Sequence, residues 1–507
     1  MIISEMQCKL AIWASDDPAF KADRLLRLIA HPTWLQEAAR QALASHGSKT
    51  VGVDGVTKST LLPELDAALE QLRSDLLAGT YTPAPARRIY IQKANGKQRP
   101  LGIPTLIDRI VQRAMLMGME PLWESDFHPA SYGFRPERSV HHAIRAVKLQ
   151  LTDNTDTRGR WIIEGDLASY FDTVHHRLLM KCVRRRIRDR RFLTLLWRII
   201  KAGHIERGLF CAASEGVPQG GVLSPLLSNI MLHEFDSYLD EHYLSKKARG
   251  ARWHWNDSVR RGSAVALKEQ RQWKPAVSYC RYADDFVIVI KGTKAQAQAI
   301  REECRAVLEQ TLHLTLNMEK THITHVNDGF TFLGHRIIRK RGPQGSMHVV
   351  TTIPHEKAKR FRRELSAWLS TNHGGNAVDV IEQLNRKLIG WGQFYRFTDH
   401  VAVVFSRIDR MVFWKLAHWL GRKYRSRIRA LLRRWCRPPL PDQPRTWVLY
   451  GSSSRGFPRR VYLTRLVGRG KQRFRWHTPK VNPYIQSSSA HPLASRLPEM
   501  ARAFGPA

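Results

Sequence analysis

The chain has 507 residues, of which 82 are lysine or arginine and 44 are aspartate or glutamate, so its formal net charge is +38. This surplus predicts a polyanionic partner. The sequence has no apolar run of roughly eighteen residues and no signal-peptide pattern in Met1–Phe20, so we expect a soluble, intracellular chain of about three domains. None of the six cysteines forms a Cys-x-x-Cys pair, so the sequence indicates neither a disulfide framework nor a zinc ribbon.

The N-terminal part of the chain predicts helices followed by short strands. The apolar residues up to about residue 86 recur with helical spacing, most strongly from Thr57 to Leu77. Short strands are predicted around Arg87–Gln92. We therefore expect a helical extension before a strand-containing region.

The next predicted element is a buried strand that ends in an acid. Trp161–Gly165 is mostly apolar and is followed by Asp166. A carboxylate at the end of such a strand costs several kcal/mol when it is desolvated without a partner, so a bound cation is a natural explanation. Asp166 could instead cap a following helix, and Asp172 is better explained by an ion pair with Arg177.

A glycine- and proline-rich segment from Glu215 to Asn229 contains Pro218-Gln219-Gly220-Gly221. Its glycines allow the backbone to approach a ligand closely. The apolar pattern after Ser224 predicts a helix that begins with a serine cap and has Pro225 at its first position. The segment therefore indicates a nucleotide-facing loop on a helix N-terminus.

Two adjacent carboxylates, Asp284 and Asp285, lie between the short apolar strands Val277–Arg281 and Phe286–Ile290. Hard Mg²⁺ prefers anionic oxygens, and a two-metal site takes carboxylates from separate strands. Asp-Asp is also an ordinary solvated turn pair. Together with Asp166 and the Pro-Gln-Gly loop, the hairpin favours a polymerase palm. The palm is predicted over roughly 160–340, with Lys246–Lys274 as a surface insertion that touches nucleic acid.

Beyond Thr352 the sequence predicts helices and then a basic region. Leu384, Leu388, Trp391 and Tyr395 recur at helical spacing and indicate a packed helical face. From Arg407 to Arg437, the basic cluster, there are eleven cations and one acid, Asp409, interleaved with Trp414, Trp419, Tyr424 and Trp435. Such a pattern suits a nucleic-acid groove, although a membrane-surface helix or a solvated face is an alternative. The Gly-, Ser-, Pro- and Arg-rich tail after Pro439 is predicted to be irregular unless RNA or DNA orders it.

These motifs closely resemble those of the reverse transcriptase and maturase proteins encoded by group II introns of bacteria and organelles. The resemblance covers most of the chain. Besides the segments above, it rests on Val51–Val56, Lys93–Pro104, Ser131–Pro136, Phe330–Gly334 and Leu384–Trp391. It implies an α+β fold, a right-hand polymerase with fingers and palm followed by an α-helical thumb.

The resemblance also implies roles for individual residues. Asp166, Asp284 and Asp285 match the catalytic carboxylates, and with Leu167 they match the metal-binding positions. Phe171 matches the residue that excludes ribonucleotides, with core packing as its alternative. Lys93 and Arg99 match residues that clamp the triphosphate, and Gln219 matches a nucleotide contact. Lys320 matches a lysine that helps pyrophosphate to leave, or it is a surface charge. The residues expected to bind nucleic acid are Arg422, Lys423, Arg425, Arg427, Arg433 and Arg434.

The implied cofactor is a pair of Mg²⁺ ions, for which Mn²⁺ is a possible substitute. One ion lowers the pKa of the primer 3′-hydroxyl, and the other stabilises the departing pyrophosphate. The implied partners are intron RNA, template RNA, primer or target DNA, and deoxynucleoside triphosphates, with no membrane, and the implied location is the bacterial cytoplasm.

The domain boundaries expected from the sequence are an extension over 1–86, fingers and palm over 87–345, a thumb or maturase domain over 346–440, and a basic tail over 441–507. The tail has no cysteine after Cys436, although Asn482-Pro483-Tyr484 resembles the segment that precedes a nuclease in longer relatives. We therefore expect the metal-binding nuclease module to be missing. The resemblance to shorter family members of this kind implies priming from existing DNA ends or replication forks of the host.

Two functions are compatible with the sequence. The first is a reverse transcriptase that also assists splicing and mobility of its own intron, and the second is a domesticated reverse transcriptase in DNA repair or phage defence. A splicing factor with a relic palm is disfavoured because Asp166, Asp284 and Asp285 are all present. A ribozyme flanking the coding region would favour the first function.

Overall fold

The computed structural model describes residues 2–92, 96, 98–152, 160–248, 275–342, 345–372, 374–454, 456–469, 474 and 482–485. Lys93 and most of the predicted insertion at Lys246–Lys274 lie outside these residues. The chain forms two compact units. The first takes in Met1–Gln150, Thr155–Thr324 and His477–Ala507, and the second takes in Leu151–Asn154 and His325–Trp476.

The first unit contains most of the helices and two four-stranded sheets. Its helices are α1 (Ile3–Asp16), α2 (Leu25–Ile29), α3 (Pro32–Ala44), α4 (Lys58–Leu61), α5 (Leu65–Ala78), α6 (Leu106–Glu124), α7 (Val140–Leu151), α8 (Tyr170–Thr173), α9 (His176–Val183), α10 (Arg190–Lys201), α11 (Ser224–Leu239) and α12 (Lys294–Leu312). Its strands are β1 (Ala86–Gln92), β2 (Gln98–Ile103), β3 (Arg160–Gly165), β4 (His204–Glu206), β5 (Leu209–Cys211), β6 (Ala276–Tyr282), β7 (Asp285–Lys291) and β8 (His322–His325).

The palm sheet has the strand order β6-β7-β3-β8. Strands β6 and β7 form the predicted hairpin, in which Tyr282 pairs with Asp285. Strand β3 runs antiparallel to β7, and Gly165 pairs with Phe286. A Cβ atom on Gly165 would lie only 2.1 Å from the Phe286 ring, so only glycine fits this position.

The second sheet of this unit has the order β2-β1-β4-β5. Strands β1 and β2 form the antiparallel hairpin expected of the fingers, with Arg87 opposite Ile103 and Gln92 opposite Gln98. The amide of Gly102 in β2 donates to the Gln219 carbonyl at 2.6 Å. This bond fixes the Pro-Gln-Gly loop against the fingers sheet.

Helix α6 lies at the centre of the first unit and contains Pro121 in its interior. Proline cannot donate the helical bond to the carbonyl four residues earlier. That carbonyl, on Met117, instead accepts a bond from the Gln7 side-chain amide at 3.0 Å. The Pro121 carbonyl accepts the Asn482 amide at 2.9 Å, so a C-terminal segment also packs on α6.

The second unit is helical with two small antiparallel sheets. Its helices are α13 (His355–Thr371), α14 (Ala377–Tyr395), α15 (Val401–Lys423) and α16 (Ile428–Trp435). Its strands are β9 (Phe330–Phe332), β10 (His335–Arg341), β11 (Met347–Thr352), β12 (Cys436–Arg437), β13 (Thr446–Ser452) and β14 (Pro458–Tyr462). The sheet orders are β11-β10-β9 and β12-β13-β14.

The apolar stripe predicted in this unit is core. Leu384, Leu388 and Tyr395 are buried in α14, and Trp391 stacks on Phe361 with ring centroids 4.6 Å apart. The stripe therefore holds the helices together rather than forming a binding surface.

The prediction of an irregular tail after Pro439 was wrong for β13 and β14. Trp447, Val448 and Leu449 are at most 2% exposed, and Leu449 pairs with Val461. The overall Gly, Ser, Pro and Arg content concealed this short run of strand-forming residues, whose burial stabilises the hairpin.

No helix in the described part of the chain combines the length and the apolar character needed to cross a bilayer. All six cysteines lie within the described residues and are free thiols there.

Candidate active site

The Asp-Asp turn, Tyr282–Asp285, is held on two sides by buried groups. Ala283 has a φ of 58°, an uncommon left-handed conformation for a residue other than glycine. Its carbonyl accepts a bond from Arg281 Nη1 at 3.1 Å. On the other side, a Cβ atom on Gly133 would lie 2.2 Å from the Ala283 nitrogen. The turn geometry therefore depends on both Arg281 and Gly133.

Asp166 directly follows β3, at the end of the palm sheet that carries the turn. Extending the pairing of Gly165 with Phe286 by one position places Asp166 opposite Asp285. The Asp166 Oδ2 atom accepts bonds from Lys320 Nζ at 2.7 Å and from Asn317 Nδ2 at 3.4 Å. The alternative of a helix cap is wrong, because helix α8 begins after Ser169.

Electrostatics link Asp284 to Asp166. Burial raises the pKa of Asp284 above its usual value, and the negative charge of Asp166 raises it further, whereas Arg99 and Lys320 lower it. The hydrogen bond to Asp166 raises the pKa of Lys320, and the charges of all three aspartates add to this effect. The three carboxylates and the ammonium group therefore form one interacting cluster.

Within the described residues, no group of three or more histidine, cysteine, aspartate or glutamate side chains is placed to hold a metal ion. Mg²⁺ sites of polymerases commonly use only one or two carboxylates, completed by water and substrate phosphates. Asp284 and Asp166 provide two such carboxylates, and their repulsion raises the pKa of Asp284. The donor chemistry therefore fits a hard divalent cation.

Three polar side chains form a connected row beside the Pro-Gln-Gly loop. Arg99 Nε donates to Gln219 Oε1 at 3.1 Å, and Gln219 Nε2 donates to Asp172 Oδ2 at 3.1 Å. Arg99 comes from β2 and Asp172 from α8, so the glutamine joins the fingers strand to the region that follows Asp166. The structure thus brings Arg99 and Gln219 together.

The prediction that Ser224 caps the helix was wrong. Ser224 is the first residue of α11 itself, and its hydroxyl donates to the Pro218 carbonyl at 2.7 Å. Pro225 lies at the helix start as predicted. The serine therefore closes the loop onto the helix rather than capping it.

Phe171 is partly buried and packs on the core of the first unit, with its ring edge-on to Tyr170 at a centroid distance of 5.5 Å. Its carbonyl accepts the Val217 amide at 2.7 Å. A Cβ atom on Gly216 would lie 2.8 Å from the same carbonyl oxygen. Phe171 is thus adjacent to the loop that carries Gln219, while the structure also supports a packing role.

Three predicted site residues remain: Lys93, Lys320 and Leu167. Lys93 lies outside the described residues. The Lys320 side chain is 66% exposed, yet it forms an ion pair with Asp166, so it is not an unattached surface charge. Leu167 is buried and bridges to Leu316, which fixes the chain just after Asp166.

The basic cluster spans most of α15 and all of α16 and β12. Arg422, Arg425, Arg427, Arg433 and Arg434 are exposed, and Lys423 is half-buried. Lys423 Nζ lies 5.6 Å from the centroid of the Trp419 ring. Trp419 is only 2% exposed, so its ring belongs to the core and is not available to stack on bases. Trp414 and Tyr424 are exposed.

Sequence reasoning missed several residues that position the site. Asn317 contacts Asp166 twice, since its backbone amide also donates to the Asp166 carbonyl at 2.9 Å. Asn229 in α11 joins Gly133 to Arg281, with both hydrogen bonds at 2.8 Å. The detectable signal was Arg281 itself, because a charged residue inside an apolar strand requires a buried partner.

Two family models match the chain. A model described as reverse transcriptase (RNA-dependent DNA polymerase) matches residues 91–337, and a model described as group II intron, maturase-specific domain matches residues 358–435. The chain thus carries both parts of the family architecture.

Curated relatives agree with these matches. The chain is 70% identical over 369 residues to Protein YkfC of Escherichia coli (strain K12), a region covering 73% of this chain and 97% of that protein. It is 33% identical over 429 residues to Group II intron-encoded protein LtrA of Lactococcus lactis subsp. cremoris, covering 73% and 70% of the two chains. It is 23% identical over 406 residues to Nuclear intron maturase 2, mitochondrial, of Arabidopsis thaliana, covering 64% and 53%.

The reverse transcriptase match contains every predicted catalytic carboxylate, and the maturase match contains the predicted RNA-binding arginines. Both parts imply binding of RNA and DNA. The chain therefore belongs to the group II intron-encoded reverse transcriptase and maturase family and is an RNA-directed DNA polymerase.

Proposed function

We propose that the chain copies intron RNA into DNA at a site formed by Asp166, Asp284 and Asp285, and that it binds the same RNA to assist splicing and mobility. The observation that carries this proposal is the electrostatic coupling of Asp166 and Asp284 at neighbouring strand ends. Two carboxylates are brought together there although their repulsion and burial are unfavourable. A cationic ligand relieves both costs.

In the proposed site, Asp166, Asp284, Asp285 and the Leu167 carbonyl would hold two divalent cations, Mg²⁺ or in its place Mn²⁺. When bound, these ions supply charge stabilisation for phosphoryl transfer. The primer 3′-oxygen forms a bond to the α-phosphorus of the incoming deoxynucleoside triphosphate as the bond to the β-phosphate oxygen breaks. The hydroxyl proton passes to solvent water, and pyrophosphate leaves.

The other predicted site residues around the carboxylates have separate roles in this proposal. Arg99 contacts the triphosphate from β2, where a planar guanidinium suits phosphate oxygens. Gln219 supports Arg99 and contacts the nucleotide. Lys320 stays protonated, because the neighbouring aspartates raise its pKa, and its positive charge is suited to the departing pyrophosphate. Phe171 occupies the space that a ribose 2′-hydroxyl would need.

Primer extension tests the polymerase site. A labelled DNA primer on an RNA template should be extended by the wild-type chain with deoxynucleoside triphosphates and Mg²⁺. Asp284→Asn should reduce extension by several orders of magnitude but leave RNA binding intact. The matched control is Asp66→Asn, which removes one charge from an exposed position on α5. Full activity of Asp284→Asn would contradict the assignment.

Splicing assistance needs a separate test. The RNA transcribed from the DNA flanking the coding region is incubated with and without the protein, and ligated exons are quantified. Faster exon ligation with wild type and with Asp284→Asn alike would support a splicing role that is independent of polymerisation. Absence of any effect would remove the maturase half of the proposal and leave the polymerase half in place.

A further inference from the structure

A cavity of about 390 Å³ lies in the second unit, between α15 and the chain that follows β14. Its lining includes Arg410, Phe413 and Trp414 from α15 and Arg465 from the later segment. The volume falls within the range of about 300–1,000 Å³ that is typical of small-molecule sites. The cavity belongs neither to the polymerase site nor to the group of cations from Arg422 to Arg434.

The two walls of the cavity are joined by hydrogen bonds to the half-buried carboxylate of Asp409. Asp409 Oδ1 accepts the Leu466 amide at 2.9 Å, and Asp409 Oδ2 accepts the Val467 amide at 3.0 Å. Burial raises the pKa of Asp409, while these bonds and the charge of Arg465 lower it. The carboxylate therefore serves to hold the later segment against α15.

The lining of the cavity carries more positive than negative charge. Arg410 is exposed and Arg465 is half-buried, and the charge of Arg465 acts on the neighbouring Asp409. The two guanidinium groups outweigh the single negative charge of Asp409, so the lining keeps a net positive charge that suits phosphate oxygens.

An aromatic face accompanies this charge. The Trp414 side chain is 47% exposed, although a tryptophan of this size is normally well buried. It packs edge-on against Phe413 at 5.4 Å, and Phe413 lies 5.2 Å from Trp447, whose indole donates to the Phe413 carbonyl at 3.1 Å. The Trp414 ring is thereby supported from behind and accessible from the cavity.

We propose that this cavity receives one unpaired nucleotide of bound RNA, with its base stacked on Trp414 and its phosphates near Arg410 and Arg465. The inference rests on the proposed RNA-binding function and adds a defined subsite to it. A cationic pocket with one supported aromatic face is the arrangement that binds extruded bases through stacking and backbone contacts. A surface that bound RNA through phosphate charges alone would not require the exposed Trp414 ring.

The test uses the full chain and an RNA hairpin with a single bulged adenosine. The reference is the same hairpin with an abasic nucleotide in the bulge. Wild type should bind the adenosine bulge about fivefold or more tightly than the abasic bulge, as expected for stacking of one base. Trp414→Leu should lose this preference, and Trp414→Phe should retain most of it. The control variant is Tyr462→Leu, which removes another exposed aromatic ring outside the cavity.

The outcomes separate this inference from the function on which it rests. If Trp414→Leu keeps the full preference for the adenosine bulge, the subsite is wrong while RNA binding stands. If wild type binds neither hairpin, the proposed RNA-binding function itself fails. A Trp414-dependent preference that appears with the matching DNA hairpin but not with RNA would overturn the assignment of RNA as the occupant.

Discussion

Arg281 and Asp236 form a buried ion pair in which Nε and Nη2 of the guanidinium donate to the two carboxylate oxygens at 2.8 and 2.5 Å. Both side chains are at most 1% exposed. Burial alone would raise the pKa of Asp236, but the charge and hydrogen bonds of Arg281 outweigh it, and the pKa lies below the usual value. The pair joins α11 to the strand that leads into the Asp-Asp turn.

Arg281→Met should lower the free energy of unfolding by about 3–5 kcal/mol, because it leaves the Asp236 carboxylate buried without its cation. The double variant Arg281→Met/Asp236→Leu should recover most of this loss, since neither charge remains. Urea unfolding followed by tryptophan fluorescence measures both variants. Equal losses in the single and double variants would show that the uncompensated charge is not the cause.

Gly133→Ala should strongly reduce primer extension, because the added methyl group would displace the backbone of Ala283 and with it the aspartates of the turn. Overpacking of this kind also costs about 1–3 kcal/mol of stability. The matched control is Gly390→Ala in α14, where an added Cβ atom meets no neighbour within 4 Å. Unchanged extension by Gly133→Ala would mean that the turn tolerates displacement.

Glu120 provides a test of pH dependence away from the polymerase site. Burial raises its pKa above the usual 4.5, whereas the bond from the Tyr484 hydroxyl lowers it. A folded-state pKa above the unfolded value means that this group stabilises the protein most below the unfolded pKa and loses that contribution as pH rises through the folded pKa.

Glu120→Gln removes this titration. The variant should therefore match wild type near pH 4 and become more stable than wild type as pH rises toward 8, by about 1 kcal/mol. Melting temperatures recorded across this range give the comparison. A difference that shrinks with rising pH would contradict the direction of the shift.

Phe171→Ala should raise incorporation of ribonucleotides relative to deoxyribonucleotides, because the ring no longer excludes the 2′-hydroxyl. The ratio of kcat/KM for the two nucleotide types is the measurement, and Phe171→Tyr, which keeps the ring, is the control. A constant ratio with a loss of stability of about 1–3 kcal/mol would assign Phe171 to packing alone.

Neutralising Arg422, Lys423, Arg425 and Arg427 to glutamine should weaken RNA binding and flatten its salt dependence. Each lost phosphate contact on a single strand reduces the log-log slope by roughly 0.7. Splicing assistance should suffer most. Extension of a short primed template should suffer less, because the fingers and palm still engage the primer end.

Affinity against salt concentration, for RNAs of several sequences, measures this effect. A control variant with four exposed cations of the first unit changed to glutamine shows the effect of net charge alone; these are Lys21, Arg24, Arg27 and Arg190. Identical slopes for wild type and the Arg422 to Arg427 variant would identify those residues as a solvated face.

Much of the palm could be predicted from the sequence because its signals are local. Two short apolar runs flank the Asp-Asp turn and predict the two strands. The observed strands, Ala276–Tyr282 and Asp285–Lys291, are each longer than predicted by one residue at both ends. The ion pair of Lys320 with Asp166 lies beyond such reasoning. It depends on a backbone path that brings Asn317 beside the end of β3, which no local pattern encodes.

The prediction for the tail failed because it relied on composition rather than on a local pattern. Its Gly, Ser, Pro and Arg content suggested an irregular chain, yet Trp447 is fully buried and its backbone carbonyl accepts the Leu463 amide at 2.8 Å. The hairpin is stabilised by a core that it shares with the preceding helices of the second unit, where Trp447 packs on Phe413. Composition averaged over the tail cannot detect a partner of this kind.

The pairing of Gly165 with Phe286 also limits how the length of this protein can change. Side chains alternate along a strand, so deleting one residue within β3 or β7 would turn every following side chain to the opposite face. It would also bring a Cβ atom against the Phe286 ring and shift Asp166 out of register with the Asp-Asp turn. Insertions and deletions compatible with this site must therefore lie outside the strands and the Asp-Asp turn, where a change of chain length leaves the register of β3 and β7 intact.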